Sequence, residues 1–241
     1  MQSEYFSQEW VVESMPHEHL FPWLELLSIV GTFMRPGCRI LDFGCSSGEL
    51  LRLLYRGVPG LMEPVKPLLA VGLEPEATKD VLLTATAKTS HDLPIIFSHA
   101  PLSAFPNQFD LIISYEVIYL VEDLDATFEA AYTALKLGGR FYAATGVYIE
   151  NEHYGRWRPL LEKRSIPALS YSKETYIQSL KRAGFQEVDA LPLRLTKETY
   201  DRWRAEQPFD DLEWYESEDD ERHSLTEVGK LVFLGKKGEL T

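Results

Sequence analysis

The sequence predicts an α/β fold, a doubly wound and mostly parallel seven-stranded sheet with helices on both faces. Short apolar runs alternate along the 241 residues with longer helical patterns, which is typical of right-handed crossovers between parallel strands. Residues 110–114 are nearly all apolar, as expected for a strand that is buried on both faces. The last strand is free to enter the sheet antiparallel, because sequence alone does not show its direction.

Residues 1–36 are predicted to form an N-terminal helical cap, since aromatic and aliphatic side chains recur there at helical spacing. Pro16 and Pro22 are each expected to begin or break a helical segment. The remaining residues, 37–241, are predicted to form one domain, with lid-like insertions at about 146–171 and 196–226.

The elements of this domain alternate in order. Strands are expected at residues 39–43, 68–73, 94–97, 110–114, 140–144, 186–190 and 230–234. Helices are expected from Ser47, as N-cap, to Gly57, and over residues 76–88, 125–135, 173–183 and 197–205.

The 24 basic and 37 acidic residues give a net charge of −13. This balance excludes the broad basic surface that non-specific binding of nucleic acid or of an anionic membrane requires. No apolar run approaches about 18 residues, and the N-terminus shows no signal peptide. Cys38 and Cys45 flank a predicted strand, which would hold them about 20 Å apart, too far for a disulfide. We therefore expect a cytoplasmic protein without a membrane or nucleic-acid partner.

A ligand is expected at the turn after the first strand, because open parallel sheets bind ligands beyond the C-terminal ends of their strands. Gly44 and Gly48 allow a close backbone approach there, and the next helix offers free N–H groups. A dinucleotide fingerprint would also need glycines where Ser46 and Glu49 stand. Glu49 would face a pyrophosphate, at a cost of about 4 kcal/mol for a contact of about 4 Å and an effective dielectric of about 20. The turn therefore argues against a nicotinamide dinucleotide.

The pattern Asp42-x-Gly44-x-x-x-Gly48 resembles motif I of the class I S-adenosylmethionine-dependent methyltransferases, and the similarity extends over about residues 36–190. The resemblance implies that the cofactor is S-adenosylmethionine and that Asp42 helps to hold its ammonium group or the water around it. Gly44, Cys45 and Gly48 would then bring the backbone close to the methionine portion.

The ends of the second and third strands carry further parts of the resemblance. Glu74, directly before Pro75, matches the acidic residue of the family that accepts hydrogen bonds from both ribose hydroxyls. His99 and Ala100 stand where many relatives have an adenine-binding Asp. A neutral histidine can also accept the adenine amine through one ring nitrogen, and a surface position for His99 is the alternative.

The end of the fourth strand resembles the family motif that faces both the cofactor and the methyl acceptor. Ser114 is placed by it at the cofactor, and Tyr115 and Tyr119 at the acceptor. Trp10 and Tyr148 are further candidates for an aromatic acceptor pocket, since aromatic faces also hold sulfonium and ammonium cations. Residues 136–140 and 180–185 resemble the turn before the fifth strand and the helix end before the sixth.

Methyl transfer is an in-line displacement for which the protein mainly aligns the reactants, so no metal is expected. An amine acceptor has only to arrive unprotonated, whereas a hydroxyl acceptor usually needs a general base, for which Glu116 and His153 are candidates. His17 and His19 are expected to be structural or surface residues.

The resulting prediction is a methyltransferase that acts on nitrogen or oxygen of a small-molecule acceptor, as a monomer or homodimer. The alternative is a non-catalytic S-adenosylmethionine-binding protein with a regulatory or scaffold role. RNA methylation is disfavoured by the acidic balance and by the missing Asn/Asp-Pro-Pro-aromatic signature after the fourth strand. Nine acids and no base lie between Glu206 and Glu221, and this tract is either a lid or a solvated loop.

Overall fold

The computed structural model describes residues 17–58, 60–74, 79–167, 169, 171–206 and 214–238. Helix α1 spans His17–Val30 and continues into a short 3-10 turn, Gly31–Phe33. Pro22 lies inside α1 and does not break it. The helix tolerates the lost N–H of Pro22 because Leu20, Leu26 and neighbouring side chains are buried against the sheet.

Seven strands form a single sheet in the order β3-β2-β1-β4-β5-β7-β6. Their bounds are β1 Arg39–Phe43, β2 Leu69–Leu73, β3 Ile95–Ser98, β4 Phe109–Tyr115, β5 Leu135–Thr145, β6 Gln186–Leu193 and β7 Lys230–Lys236. Strand β7 pairs antiparallel with both β5 and β6, and the pairs among β1 to β5 are parallel. The predicted fold class is therefore confirmed, with the last strand antiparallel.

Helices follow the strands in the expected alternation. Their bounds are α2 Glu49–Arg56, α3 Lys79–Ala87, α4 Leu124–Ala134, α5 Tyr154–Lys163, α6 Lys173–Arg182, α7 Lys197–Glu206 and α8 Glu218–His223. Short 3-10 turns lie at Leu102–Ala104 and Ile118–Leu120, and one π-helical turn, Ser224–Val228, leads into β7. Within the described ranges, no helix combines the length and the apolar character that a membrane span requires.

The sheet is buried on both faces, because alternate residues of each strand point to opposite sides. In β1, Ile40 packs with α1 and α2, while Leu41 and Phe43 join the core formed by α4 and α6. The central strands are consequently apolar on both sides, as the sequence of β4 predicts. Burying such a side chain contributes about 1.5–3 kcal/mol, so the two cores hold the strand ends firmly in place.

The first two crossovers leave a crevice at the carboxyl edge of the sheet. Strand β1 pairs with β2 on one side and with β4 on the other, so the chain reverses its winding direction beside β1. The turn after β1 is fixed to the end of β2, since the N–H groups of Gly44 and Cys45 both donate to the carbonyl of Leu73. Because β4 is paired with β1, a ligand at this turn lies beside the ends of both strands.

The two predicted insertions contain α5 and the α7–α8 region; they contact each other, and α7 also contacts α1. Arg156 of α5 forms an ion pair with Asp220 of α8 over 2.6 Å. Phe21 of α1 packs with Tyr200 and Trp203 of α7. A lid function for either insertion stays a prediction.

One acid of the predicted acidic tract is not solvated. Glu221 is buried, and its carboxylate accepts hydrogen bonds from Tyr200 and Arg204 of α7. The run of acids alone does not reveal this burial, because the two donors that make it possible lie on another helix.

Candidate active site

The turn after β1 requires glycine at two positions, because neighbouring side chains of the protein leave no room for a Cβ atom there. Gly44 and Gly48 have φ angles of 82° and 81°, in the left-handed region. A Cβ atom on Gly44 would overlap the side chain of Val117, and one on Gly48 would lie 2.5 Å from the ring of Phe97. The turn is thus packed against the segment that follows β4 and against strand β3 itself.

A cleft with a volume of about 210 Å³ opens beside this turn. It is bordered by the turn after β1, the start of α2, the end of β4 and one face of α1. The residues that line it are His19, Trp23, Asp42, Gly44, Cys45, Ser46, Ser47, Glu49, Leu50, Tyr115 and Glu116.

The charged groups of the cleft wall are predominantly acidic. Asp42, Glu49 and Glu116 contribute carboxylates, and the described lining residues include no lysine or arginine. Burial raises the pKa of Asp42 to about 8, and the negative charges of Glu74 and Glu49 act in the same direction. A cation in the cleft would relieve this repulsion, so the electrostatics favour a positively charged ligand.

Glu74 follows the end of β2, beside the turn that lines the cleft. Its Oε2 accepts a hydrogen bond from the N–H of Ser46 over 2.9 Å. This contact orients the carboxylate towards the turn and leaves its other oxygen with acceptor capacity. The position agrees with the predicted ribose contact, which stays a prediction.

Ser47 does not cap helix α2, in contrast to the prediction. The N-cap residue is Gly48, and the Ser47 hydroxyl donates to the carboxylate of Glu49. Buried Arg52 holds this corner, since it donates to the Ser47 carbonyl over 2.7 Å and pairs with Glu49 over 3.3 Å. The positive charge of Arg52 therefore partly neutralises Glu49, whereas the charges that act on Asp42 are negative.

Cys45 forms part of the wall, and its surroundings disfavour the thiolate form. Burial raises the pKa of its thiol, and the Asp42 carboxylate raises it further. Cys38 and Cys45 are both free, at opposite ends of β1.

Sequence reasoning missed the aromatic side of the cleft, which comes from α1. His19 and Trp23 line the cleft together with Tyr115, and the three ring centroids lie 5.7 to 6.2 Å apart. Residues four apart share one helix face, so the spacing of His19 and Trp23 offered a signal. The prediction instead placed an N-terminal aromatic contact at Trp10, which lies outside the described residues, as does the predicted cofactor residue Pro75.

Other predicted site residues lie near the cleft without lining it. The buried hydroxyl of Ser114 donates to the Phe43 carbonyl over 2.9 Å and links β4 to β1. His99 and Ala100 follow the end of β3, at the same edge of the sheet as Glu74. The cofactor contacts of these three residues stay predictions.

The predicted acceptor residues Tyr119 and Tyr148 are both buried in apolar clusters. Tyr119 packs with Val147 and Leu161, beside the segment that follows β5. Tyr148 belongs to the core on the α4 and α6 face of the sheet. The structure therefore brings Tyr115 to the cleft wall but places these two tyrosines behind it.

The two candidate bases have different surroundings. Glu116 lines the cleft, and Lys230 Nζ donates to its Oε1 over 2.5 Å. His153 is buried, and Arg156 donates to its Nδ1 over 3.0 Å, while its Nε2 has no hydrogen-bond partner among the described residues. Burial lowers the pKa of His153, and the Arg156 charge adds to this effect. A base role for either residue stays a prediction.

The doubly wound sheet and its acid-lined crevice are those of a class I, Rossmann-like methyltransferase, the class whose cofactor is S-adenosylmethionine. A model of the methyltransferase domain family matches residues 15–190, and the chain belongs to this family. The resemblance noted in the sequence is thereby confirmed. A search of curated proteins gives no match.

Solved structures of methyltransferases share the fold. A chain from the complex between the Haloferax volcanii Trm112 methyltransferase activator and a methyltransferase has 23% identity and a TM-score of 0.69, with 90% of each chain covered. An S-adenosylmethionine-dependent methyltransferase from Mesorhizobium loti has 19% identity and a TM-score of 0.66, covering 91% of this chain and 99% of its own. Phosphoethanolamine N-methyltransferase 2 from Haemonchus contortus, in complex with S-adenosyl-L-methionine, has 18% identity and a TM-score of 0.62, covering 90% and 53%.

Proposed function

We propose that the protein transfers a methyl group from S-adenosylmethionine to nitrogen or oxygen of a small-molecule acceptor. The observation that carries this proposal is the acidic cleft at the ends of β1 and β4, where Asp42 is buried among charges of its own sign. S-adenosylmethionine brings two positive groups, a sulfonium and an ammonium, and one carboxylate. Its net charge therefore complements the cleft, whereas a phosphorylated coenzyme would be repelled.

The residues around the turn after β1 would hold the cofactor. Asp42 is suited to the ammonium group, and the backbone of Gly44, Cys45 and Gly48 lies close to the same part of the cleft. Glu74 is suited to the ribose, because the carboxylate oxygen that does not contact Ser46 can accept from a hydroxyl. His99, Ala100 and Pro75 are assigned to the adenine side by their position in the sequence after β2 and β3, and Ser114, near the end of β4, is assigned to the cofactor.

The aromatic side of the cleft would receive the acceptor. When bound, S-adenosylmethionine supplies an activated methyl group and a neutral thioether leaving group. The chain has to place the acceptor atom about 3 Å from that methyl carbon, in line with the breaking bond. Tyr115, Trp23 and His19 offer apolar and cation-binding faces for this purpose. An amine that arrives unprotonated needs no base, and a hydroxyl would use Glu116 or His153.

The cofactor assignment can be tested by calorimetric titration with S-adenosylmethionine. We expect Glu74→Ala to weaken binding by about 1–3 kcal/mol, because a charge-assisted hydrogen bond to the ribose is lost. Glu129→Ala, at an exposed position on α4, is the matched control and should bind like the wild type. Equal affinity of all three proteins would refute Glu74 as the ribose anchor.

Production of S-adenosylhomocysteine separates the enzyme from a non-catalytic binding protein. We expect turnover with at least one member of a library of small amines, phenols and carboxylic acids. Tight cofactor binding without turnover of any acceptor would favour the regulatory or scaffold alternative.

A further inference from the structure

Glu116 occupies an unusual backbone position at the wall of the cleft. It follows directly on β4 with a φ angle of 56°, in the left-handed region that side-chain-bearing residues rarely adopt. Such a conformation is strained and persists only where the surroundings enforce it. The contacts of the carboxylate show what enforces it here.

Three donors from two other strands converge on this carboxylate. The N–H of Gly146, just after β5, donates to Oε1 over 3.0 Å, and the hydroxyl of Thr145 donates to Oε2 over 3.1 Å. Lys230, the first residue of β7, donates to Oε1 over 2.5 Å. Glu116 thereby ties the segment after β4 to the end of β5 and to the start of β7.

Lys230 connects this network to Tyr115. Its ammonium lies 5.5 Å from the centre of the Tyr115 ring, and only about a fifth of its side chain is exposed. Burial by itself lowers the pKa of Lys230, but the charges of Glu116 and the neighbouring tyrosines outweigh it and raise the pKa. The lysine is therefore charged, and it attracts the ring through a cation–π contact.

The other neighbours of the Tyr115 ring belong to the cleft wall. His19 and Trp23 contact it edge-on, with centroid distances of 5.7 and 6.2 Å. The phenol ring thus stands between the Glu116–Lys230 pair and the aromatic face of α1. Its orientation fixes the wall opposite the turn that carries Asp42.

Stability alone does not account for an ion pair in this place. Removing two charges from water is costly, and an apolar pair of similar volume often stabilises a fold as well or better. An ion pair can, however, orient a neighbouring group. The ammonium of Lys230 and the carboxylate of Glu116 define a fixed direction, which an apolar pair would not provide.

We propose that Glu116 and Lys230 are positioning residues that hold the Tyr115 ring against the cofactor-binding part of the cleft. This assignment rests on the proposed function and deepens it. Tyr115 then borders both the space for the acceptor and the bound cofactor, because it lines the same cleft as Asp42, and the pair acts on the cofactor only through Tyr115.

The test combines binding of S-adenosylhomocysteine by calorimetry with chemical unfolding of the same proteins. We expect Glu116→Gln, Lys230→Met and Tyr115→Ala each to weaken binding by about 10-fold, as for the loss of one orienting contact. The double variant Lys230→Met with Tyr115→Ala should lose no more than Tyr115→Ala alone, because residues in one unit are not additive. Lys230→Arg should retain wild-type affinity.

A matched control separates positioning from stability. Glu221 pairs with Arg204 away from the cleft and is more deeply buried than Glu116. Glu221→Gln is expected to lower stability as Glu116→Gln does, with binding of S-adenosylhomocysteine within about twofold of the wild type. The combined Glu116→Gln and Lys230→Met variant removes both charges together and leaves neither unpaired, so we expect it to fold even where a single variant does not. It should still bind about 10-fold more weakly.

Two results would overturn the proposal. One is wild-type affinity in the combined Glu116→Gln and Lys230→Met variant, and the other is additive losses for Lys230→Met and Tyr115→Ala. Absence of S-adenosylhomocysteine binding by the wild type would instead refute the proposed function, so the two failures are distinguishable.

Discussion

Two carboxylates at the same edge of the sheet have opposite surroundings. Asp42, at the end of β1, is 3% exposed, and the charges acting on it come from Glu74 and Glu49. Glu116, just beyond β4, receives hydrogen bonds from Lys230, from the Thr145 hydroxyl and from a backbone N–H. Both groups line the same cleft, but only one of them is electrostatically balanced within the protein.

This difference separates a binding role from an architectural one. An uncompensated buried carboxylate destabilises the empty protein, and a cationic ligand removes that penalty on binding. A compensated carboxylate has little to gain from a ligand and instead fixes the geometry around it. We therefore predict a cation-binding carboxylate on the β1 side of the cleft and a fixed framework on its β4 side.

The packing of Gly44, in the turn after β1, against Val117, which follows β4, offers the largest expected effect on stability. Gly44→Ala should destabilise the protein by about 3 kcal/mol, because it adds a left-handed strain of about 1–2 kcal/mol to a clash with Val117. Chemical unfolding measures this loss. Gly155→Ala is the matched control, since the residue is helical and a Cβ atom added there would meet no described atom within 4 Å. Combining Gly44→Ala with Val117→Ala should recover part of the loss, and equal destabilisation by both glycine variants would contradict the packing argument.

Removing the uncompensated charge should have the next largest effect. We expect Asp42→Asn to weaken S-adenosylmethionine binding by about 100-fold, the usual scale for loss of one partner of a buried charge pair. The same change should stabilise the empty protein at neutral pH, because folding no longer requires a proton to be taken up at this buried site. Titration calorimetry and unfolding of the apo form measure the two effects. A variant that loses affinity and stability together would indicate a merely structural Asp42.

The raised pKa of Asp42, about 8 against an ordinary 3.8, also predicts a pH dependence. Between these values the folded protein binds a proton that the unfolded chain has released. Apo stability should therefore fall as the pH rises from about 4 to about 8, with a limiting slope of about 1.4 kcal/mol per pH unit. A bound cation favours ionised Asp42, so cofactor affinity should increase over the same range, with proton release below pH 8. Asp42→Asn should abolish both trends.

His153 is expected to produce the smallest effect, with the opposite sign. Its pKa is lowered in the folded protein, first by burial and then by Arg156, so the unfolded chain binds more protons. The stability that neutral His153 contributes is present above about pH 6.5, its ordinary pKa, and is lost as the pH falls below it. His153→Gln should flatten this acid limb in unfolding experiments, whereas His91→Gln, at an exposed position, should leave it unchanged.

The fold was predictable from local patterns, because each strand and crossover helix carries its own apolar period. Strand β4 and the turn from Asp42 to Gly48 were recognisable because the residues of each are contiguous in the sequence. Pro22 misled the prediction, since tertiary burial of α1 outweighs one missing hydrogen bond. Strand β5 begins at Leu135, five residues before the prediction, because its pairing with β4 continues past an irregular register.

The aromatic side of the cleft and the Glu116–Lys230 pair were less predictable, because their contacts join residues far apart in the chain. Glu116 and Lys230 are separated by 114 positions, and no local spacing indicates that they meet. His19 and Trp23 face the cleft only because α1 is packed in one particular rotation against the sheet. The motif turn near Asp42 could be found from sequence because it is contiguous.

Helix α1 places neighbouring residues in two different environments. Trp23 borders the cleft, while Phe21, two positions earlier, is embedded with Tyr200 and Trp203 of α7. A small rotation of α1 would consequently widen or narrow the cleft, and it would at the same time change the packing of Phe21 against α7. Acceptor preference in proteins of this design can thus diverge by changes at the α1–α7 seam, with the catalytic edge of the sheet left untouched.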